Sequence, residues 1–215
     1  MPESGLIQAI FWDNDGVLVE TEHLYFQATQ EILASIDIPL TREDYIALFL
    51  VQGRGAWHMA EQRGVPAVEI ERLRHERNVR YSELLAQATR VMAGVTEVLD
   101  ALHGRYVMGV VTSSRRDHFD VIHRNTGLLK YFDFVLTASD FSRVKPDPEP
   151  YLRAVERSGV PKEACMAIED SARGLESARA AGIGCIVVPT ELTRQSNFTG
   201  ADKVLGSIGE LLTVF

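Results

Sequence analysis

Cysteine and lysine are scarce in this 215-residue chain, and long apolar runs are missing. The two cysteines, Cys165 and Cys185, each sit inside a short apolar run. They read as buried thiols in a reducing compartment and exclude a disulfide framework. No apolar stretch approaches the ~20 residues that span a bilayer, and no basic-plus-apolar leader is seen, so the expected location is cytoplasmic with no membrane partner. Positive charge is also in deficit. The net charge of -8 argues against a nucleic-acid footprint, though not against an anionic ligand whose field is set by local groups. Internal repeats and low-complexity segments are absent. What is present, 46% hydrophobic and 24% charged residues, is ordinary for a globular protein of one large domain or a core plus a smaller module.

Short β-like apolar runs recur at 7–13, 107–113, 134–138, 165–170 and 185–189, with a weaker one at 203–205. The first is continuous with Leu6. Segments of helical periodicity lie between the later runs, at 118–126, 149–158 and 171–181. Near-continuous apolar strands alternating with helices predict an α/β fold, with a Rossmann-like parallel sheet covered by helices on both faces. The stretch from about 20 to 90 breaks this pattern, having amphipathic segments and no convincing strand. Helices are expected at 22–35, from Thr41 (whose spacing to Asp44 fits a capping box), at 56–63 and at 67–89, with a break at Gly64 and Pro66. The expected organisation is therefore a core of residues 1–19 and 91–215 and an all-helical cap domain, residues 20–90, inserted after the first strand. Such a cap would lie over the carboxyl ends of the strands, where open α/β sheets bind ligands.

Four strand ends carry polar residues. Asp13 and Asp15 close the first run; two carboxylates at period two point the same way and need a cation or a shared proton. Asn14 between them must point the other way, and if buried its amide must find partners or cost ~1–3 kcal/mol. Thr112, Ser113 and Ser114 follow the second run as hydroxyls at a strand-to-helix turn, a common anion cradle. Lys145 opens a loop fixed by Pro146 and Pro148, and Glu169 and Asp170 end the run at 165–170. Singly, each suits a solvated charge or a helix cap. Together, on one edge of one sheet, they offer a nucleophile, a proton donor, an oxygen-rich metal site and positive charge, which is the inventory of phosphoryl transfer.

In order and spacing, Asp13-Asn14-Asp15-Gly16-Val17-Leu18, Thr112, Lys145 and Glu169-Asp170 resemble the four motifs of the haloacid dehalogenase-like hydrolase superfamily. The placement of the helical insertion resembles its phosphatase and β-phosphoglucomutase subgroup. The resemblance implies a phosphatase acting on a small phosphorylated metabolite, of the sugar phosphate or phosphoglycolate type; a monomer is expected. By the same resemblance Asp13 is the nucleophile that forms an aspartyl-phosphate, and Asp15 is the proton donor and acceptor. Mg2+ is held by the Asp13 carboxylate, the Asp15 backbone carbonyl and Asp170, with Glu169 as a further or water-mediated ligand. Thr112 and Lys145 bind the phosphoryl group. Ser113 joins them as a candidate, although it, Ser114 and Arg115 also suit a plain helix start.

The first lysine of the chain is Lys130, so the insertion lacks the lysine that phosphonate hydrolases of the superfamily use. Asp15 separates the chain from the dehalogenases, which need no acid. A mutase stays as the alternative, although Tyr25 stands where mutase-like sequences tend to carry histidine. A phospho-accepting receiver domain is a remoter one, lacking an insertion of this size. Specificity is expected in the insertion, with Arg54 and Arg77 the candidates beside Trp57 and His58. Asn14 departs from the apolar residue usual at its position and is given no catalytic role. His23, His75, His103, His118 and His123 read as surface or ordinary packing.

Overall fold

A computed structural model describes residues 7–215, so Leu6 lies outside the described residues. The core is a six-stranded sheet in which every neighbouring pair is parallel. Strand β1 is Ala9–Trp12. It lies between β4 (Val107–Val111) and β6 (Cys165–Glu169), with β5 (Phe134–Leu136) outside β4, and β7 (Gly184–Val187) then β8 (Lys203–Val204) outside β6. In β1, Ala9 and Phe11 face one way and Ile10 and Trp12 the other, and all four are fully buried. Continuous apolar runs therefore become central strands, because both faces of the sheet are covered and neither tolerates a polar alternate.

Helix α7 (Glu149–Ser158) packs on β1, β4 and β5, and α8 (Ala172–Ala181) on β6 and β7. Helices α5 (Val95–Leu102) and α6 (Arg116–His123) bury Val95, Val98, Leu99, Leu102, Phe119 and Ile122. Ser171 caps α8 by accepting the Gly174 N–H, and Gly182 ends it in the left-handed region.

Two elements depart from the sequence expectation. The boundaries of the insertion carry strands: β2 (Val19–Glu20) and β3 (Arg90–Val91) form an antiparallel ribbon, too short for any alternation to register. The first strand is also shorter than 7–13, so Asp13 stands just beyond the ladder, though its N–H still donates to the Ile168 carbonyl at 2.9 Å.

By internal packing the chain divides into two compact units, one holding Arg90–Phe215 with the chain up to Glu20, the other Thr21–Thr89. The second is helical: α1 (Glu22–Ala34), α2 (Arg42–Tyr45), a π-helical stretch Ile46–Val51, α3 (Trp57–Gln62) and the 22-residue α4 (Ala67–Ala88). The Thr41–Asp44 capping box is formed. Leu33, Ile38, Leu40, Tyr45, Trp57, Ala60, Ile70 and Leu73 make this unit's own core. Among the described residues, no helix is long and apolar enough to cross a membrane.

Candidate active site

The loop after β1 is built on one carbonyl. The Asn14 oxygen accepts the N–H groups of Val17, Leu18 and Val19 at 3.3, 2.8 and 3.1 Å, while the Gly16 N–H donates to the Val19 carbonyl at 2.9 Å. Gly16 sits at φ +85°, and a Cβ there would stand 2.5 Å from Asp170 Oδ2. Glycine is thus required twice, for the left-handed backbone and for the close approach of this loop to the end of β6.

The fourfold set of strand ends converges in the core unit. The Lys145 ammonium donates to Asp13 Oδ1 at 2.6 Å, to Glu169 Oε1 at 2.6 Å and to the Val111 carbonyl at 2.7 Å. Lys145, Asp13, Glu169 and Asp170 are all buried. Tyr151, on α7, donates its hydroxyl to Glu169 Oε1 at 2.6 Å and lies under the ammonium, 4.9 Å from ring centroid to Nζ. On the other carboxylate, Asp15 Oδ2 accepts from Ser114 Oγ at 2.6 Å, Thr112 Oγ1 at 3.3 Å and Asn14 Nδ2 at 3.3 Å.

Electrostatics follow from burial. Asp13 is pushed up to about 8 by burial, and the nearby Glu169 and Asp15 carboxylates add to this while Lys145 opposes it. Burial alone would lower Lys145, but Asp13 and Glu169 outweigh it and hold the ammonium above its ordinary range. Burial and the Glu169 charge keep Tyr151 neutral.

Carboxylate oxygens of Asp13, Glu169 and Asp170 all lie within 4.8 Å of one another. Even with Asp13 protonated, the buried Glu169 and Asp170 carboxylates against one lysine leave the cluster short of positive charge. An all-oxygen donor set of this kind fits a hard divalent cation.

Ser113 is exposed, while Ser114, for which a plain helix start was the preferred reading, joins Thr112 in giving a hydroxyl to Asp15. Two contributors had no role assigned from the sequence. Tyr151 ends the stretch from Lys145 that resembles the family, without a stated part in the site, and His123, expected at the surface or in ordinary packing, is buried with its Nε2 2.8 Å from Asn14 Oδ1. In the helical unit Arg54 is exposed. Arg77 is buried with its guanidinium over Tyr25 (4.4 Å) and Trp57 (5.8 Å), and its Nη1 meets no hydrogen-bond partner.

A parallel sheet whose edge gathers acidic, hydroxyl and lysine side chains suits phosphoryl-transfer chemistry, and the family comparison makes the class a hydrolase. The model of the haloacid dehalogenase-like hydrolases matches residues 7–182, and the chain belongs to that family. It is 33% identical over 208 residues to protein CbbY of Rhodobacter capsulatus, covering 91% of each chain. To a phosphorylated carbohydrates phosphatase of Thermotoga maritima it is 32% identical over 191 residues, covering 82% of each. A crystal structure of a CbbY variant from Rhodobacter sphaeroides in complex with xylulose-(1,5)bisphosphate superposes with a TM-score of 0.80 at 28% identity, covering 95% of this chain and 96% of that one. The protein is an enzyme of the phosphatase kind within the family.

Proposed function

We propose that the protein hydrolyses a small organic phosphate monoester, a sugar phosphate in class, through an aspartyl-phosphate on Asp13 with Mg2+ as cofactor. The observation that carries this reading is the Lys145 ammonium shared by Asp13 and Glu169 at 2.6 Å each, next to the Asp15 carboxylate gripped by Ser114 and Thr112. Lys145 orients the attacking carboxylate and keeps positive charge where phosphoryl oxygens would arrive. An Asp13 oxygen attacks phosphorus and the ester P–O bond breaks. Asp15 gives its proton to the leaving oxygen, then takes one from the water that attacks phosphorus and breaks the bond to Asp13, releasing inorganic phosphate.

Asp13, Asp170, the Asp15 backbone carbonyl and Glu169 would hold the magnesium, which when bound supplies further positive charge to the phosphoryl oxygens. Thr112 and Lys145 bind the phosphoryl group. Ser113, exposed at the same turn, is a further candidate for the phosphoryl group. Specificity for the organic part of the substrate would rest on the helical unit, where Arg54 is exposed and Arg77 lies buried over Tyr25 and Trp57. The curated carbohydrate phosphatase and the bisphosphate-bound CbbY crystal both support a sugar phosphate. Acidic surface and buried thiols fit a monomer at work in the cytoplasm.

The test is Asp13→Asn assayed with p-nitrophenyl phosphate and a panel of sugar phosphates and phosphoglycolate in magnesium. Wild-type turnover and its abolition in a folded variant are expected, whereas turnover retained by the variant overturns the assignment. Formation of glucose 6-phosphate from β-glucose 1-phosphate would mark a mutase, and release of a single phosphate per chain a receiver.

A further inference from the structure

Asn14 is fully buried, and its amide oxygen and nitrogen are both engaged. Its Nδ2 donates to Asp15 Oδ2 at 3.3 Å, so its Oδ1 is the atom that meets His123 Nε2 at 2.8 Å, and Nε2 must carry the proton. On the far side of the ring, His123 Nδ1 lies 2.9 Å from Thr126 Oγ1, which itself accepts the Leu128 N–H at 3.3 Å. With the proton of the neutral ring on Nε2, Nδ1 can only accept, so the Thr126 hydroxyl donates to it. Each link then donates in the same sense, from the Leu128 backbone through Thr126, His123 and Asn14 to the Asp15 carboxylate. Burial holds His123 down at about 4, against the pull of Asp15 and Asp120, so the ring is neutral and one nitrogen donates while the other accepts. Phe119, one turn earlier on α6, packs against the ring at a tilt of 43° with centroids 4.4 Å apart and limits its rotation. The main chain of Asn14 is equally fixed, since its carbonyl holds the loop after β1.

We propose that Thr126, His123 and Asn14 form a hydrogen-bonded relay that positions the Asp15 carboxylate. Together with Ser114 and Thr112 it places three donors on Oδ2 and sets the angle at which the carboxylate meets a leaving oxygen. Asn14 and His123 are positioning residues that touch no reacting atom themselves. The inference rests on the reading of Asp15 as the proton carrier, and it gives the amide at position 14 a purpose that an apolar residue there could not serve.

A group that orients a proton donor matters most where the leaving group needs the proton. The experiment compares p-nitrophenyl phosphate, whose phenolate leaves readily without one, with a sugar phosphate, whose alkoxide does not. Asn14→Leu is expected to lower kcat on the sugar phosphate by about thirtyfold, within the range of a general acid, with less than about a threefold loss on p-nitrophenyl phosphate and little change in KM. His123→Leu should give a smaller loss in the same direction, and His123→Gln, whose amide nitrogen falls where Nε2 stands, should restore most of it. Should Asn14→Leu not fold, the His123 pair carries the comparison alone. Equal losses on both substrates, or none on either, overturn the relay while leaving phosphatase activity in place. A wild-type protein silent on every phosphate overturns the hydrolytic reading and the relay with it.

Discussion

Gly174 leaves the Glu169 carboxylate the space it occupies: a Cβ at position 174 would stand 1.9 Å from Glu169 Cδ and Oε2 and 2.2 Å from Oε1. Glu169 is fully buried and held by Lys145 and Tyr151 at 2.6 Å each, so it has nowhere to yield without losing those bonds. Helix propensity would favour alanine at this site in α8 by about 1 kcal/mol. Overpacking costs about 1–3 kcal/mol and displaces a charged group besides, so the steric term wins. Gly174→Ala should lower the urea midpoint and reduce turnover at least tenfold. A variant as stable and active as wild type would show that Glu169 can relocate freely.

Lys145 is a buried cation between two buried carboxylates, and removing it leaves Asp13 and Glu169 facing each other unneutralised. Breaking a buried pair in this way costs about 3–5 kcal/mol, far more than a surface ion pair contributes. Lys145→Met is expected to lose about that much stability in chemical denaturation, with turnover reduced by about a thousandfold. Normal stability with lost activity would mean that the ammonium serves only the phosphate.

Much of this site was legible because its chemistry falls at the ends of apolar runs. Asp13, Thr112, Glu169 and Asp170 announce themselves as polar residues where buried strands stop, and parallel topology brings those stops to one edge, while Lys145 reaches it from the loop between β5 and α7. The π-helical turn at Ile46–Val51 and the two-residue ribbon strands were not legible, since each is decided by tertiary packing over too few residues for periodicity. The partners of Asn14 were hidden for another reason. His123 is 109 positions away, and a histidine on a helix looks the same whether it faces a core or an amide. The Ser114 contact to Asp15 is a similar case, since which hydroxyl of a turn meets a neighbouring carboxylate depends on backbone direction.

The carboxylates of Asp13, Glu169 and Asp170 carry more negative charge than Lys145 balances, so a divalent cation should stabilise the folded state. Magnesium at about 100 times its dissociation constant would add about 2.7 kcal/mol. Thermal unfolding is expected to shift upward in magnesium and back on chelation, and Asp170→Asn should shrink the response. An unfolding midpoint indifferent to magnesium and chelator would remove the metal from the site.

His123 makes stability depend on pH, and the sign follows from its depressed value. An exposed histidine protonates near 6.5, whereas burial holds His123 at about 4 in the folded protein. Between these values the unfolded chain binds a proton that the native state refuses, so stability falls as pH falls through that window and is complete above 6.5. The difference corresponds to about 3 kcal/mol lost by pH 4. Protonation would also leave Nδ1 without a lone pair for the Thr126 hydroxyl, breaking the interaction at 2.9 Å unless that hydroxyl turns. Asp13, raised by burial to about 8, holds its proton in the folded state and pulls stability the other way over the same range, so the readout is the difference between two proteins. Urea denaturation at a series of pH values between 7 and 4 should show wild type losing stability relative to His123→Gln, which does not titrate, by that amount as pH falls. A difference that does not change with pH would show that His123 does not set this window.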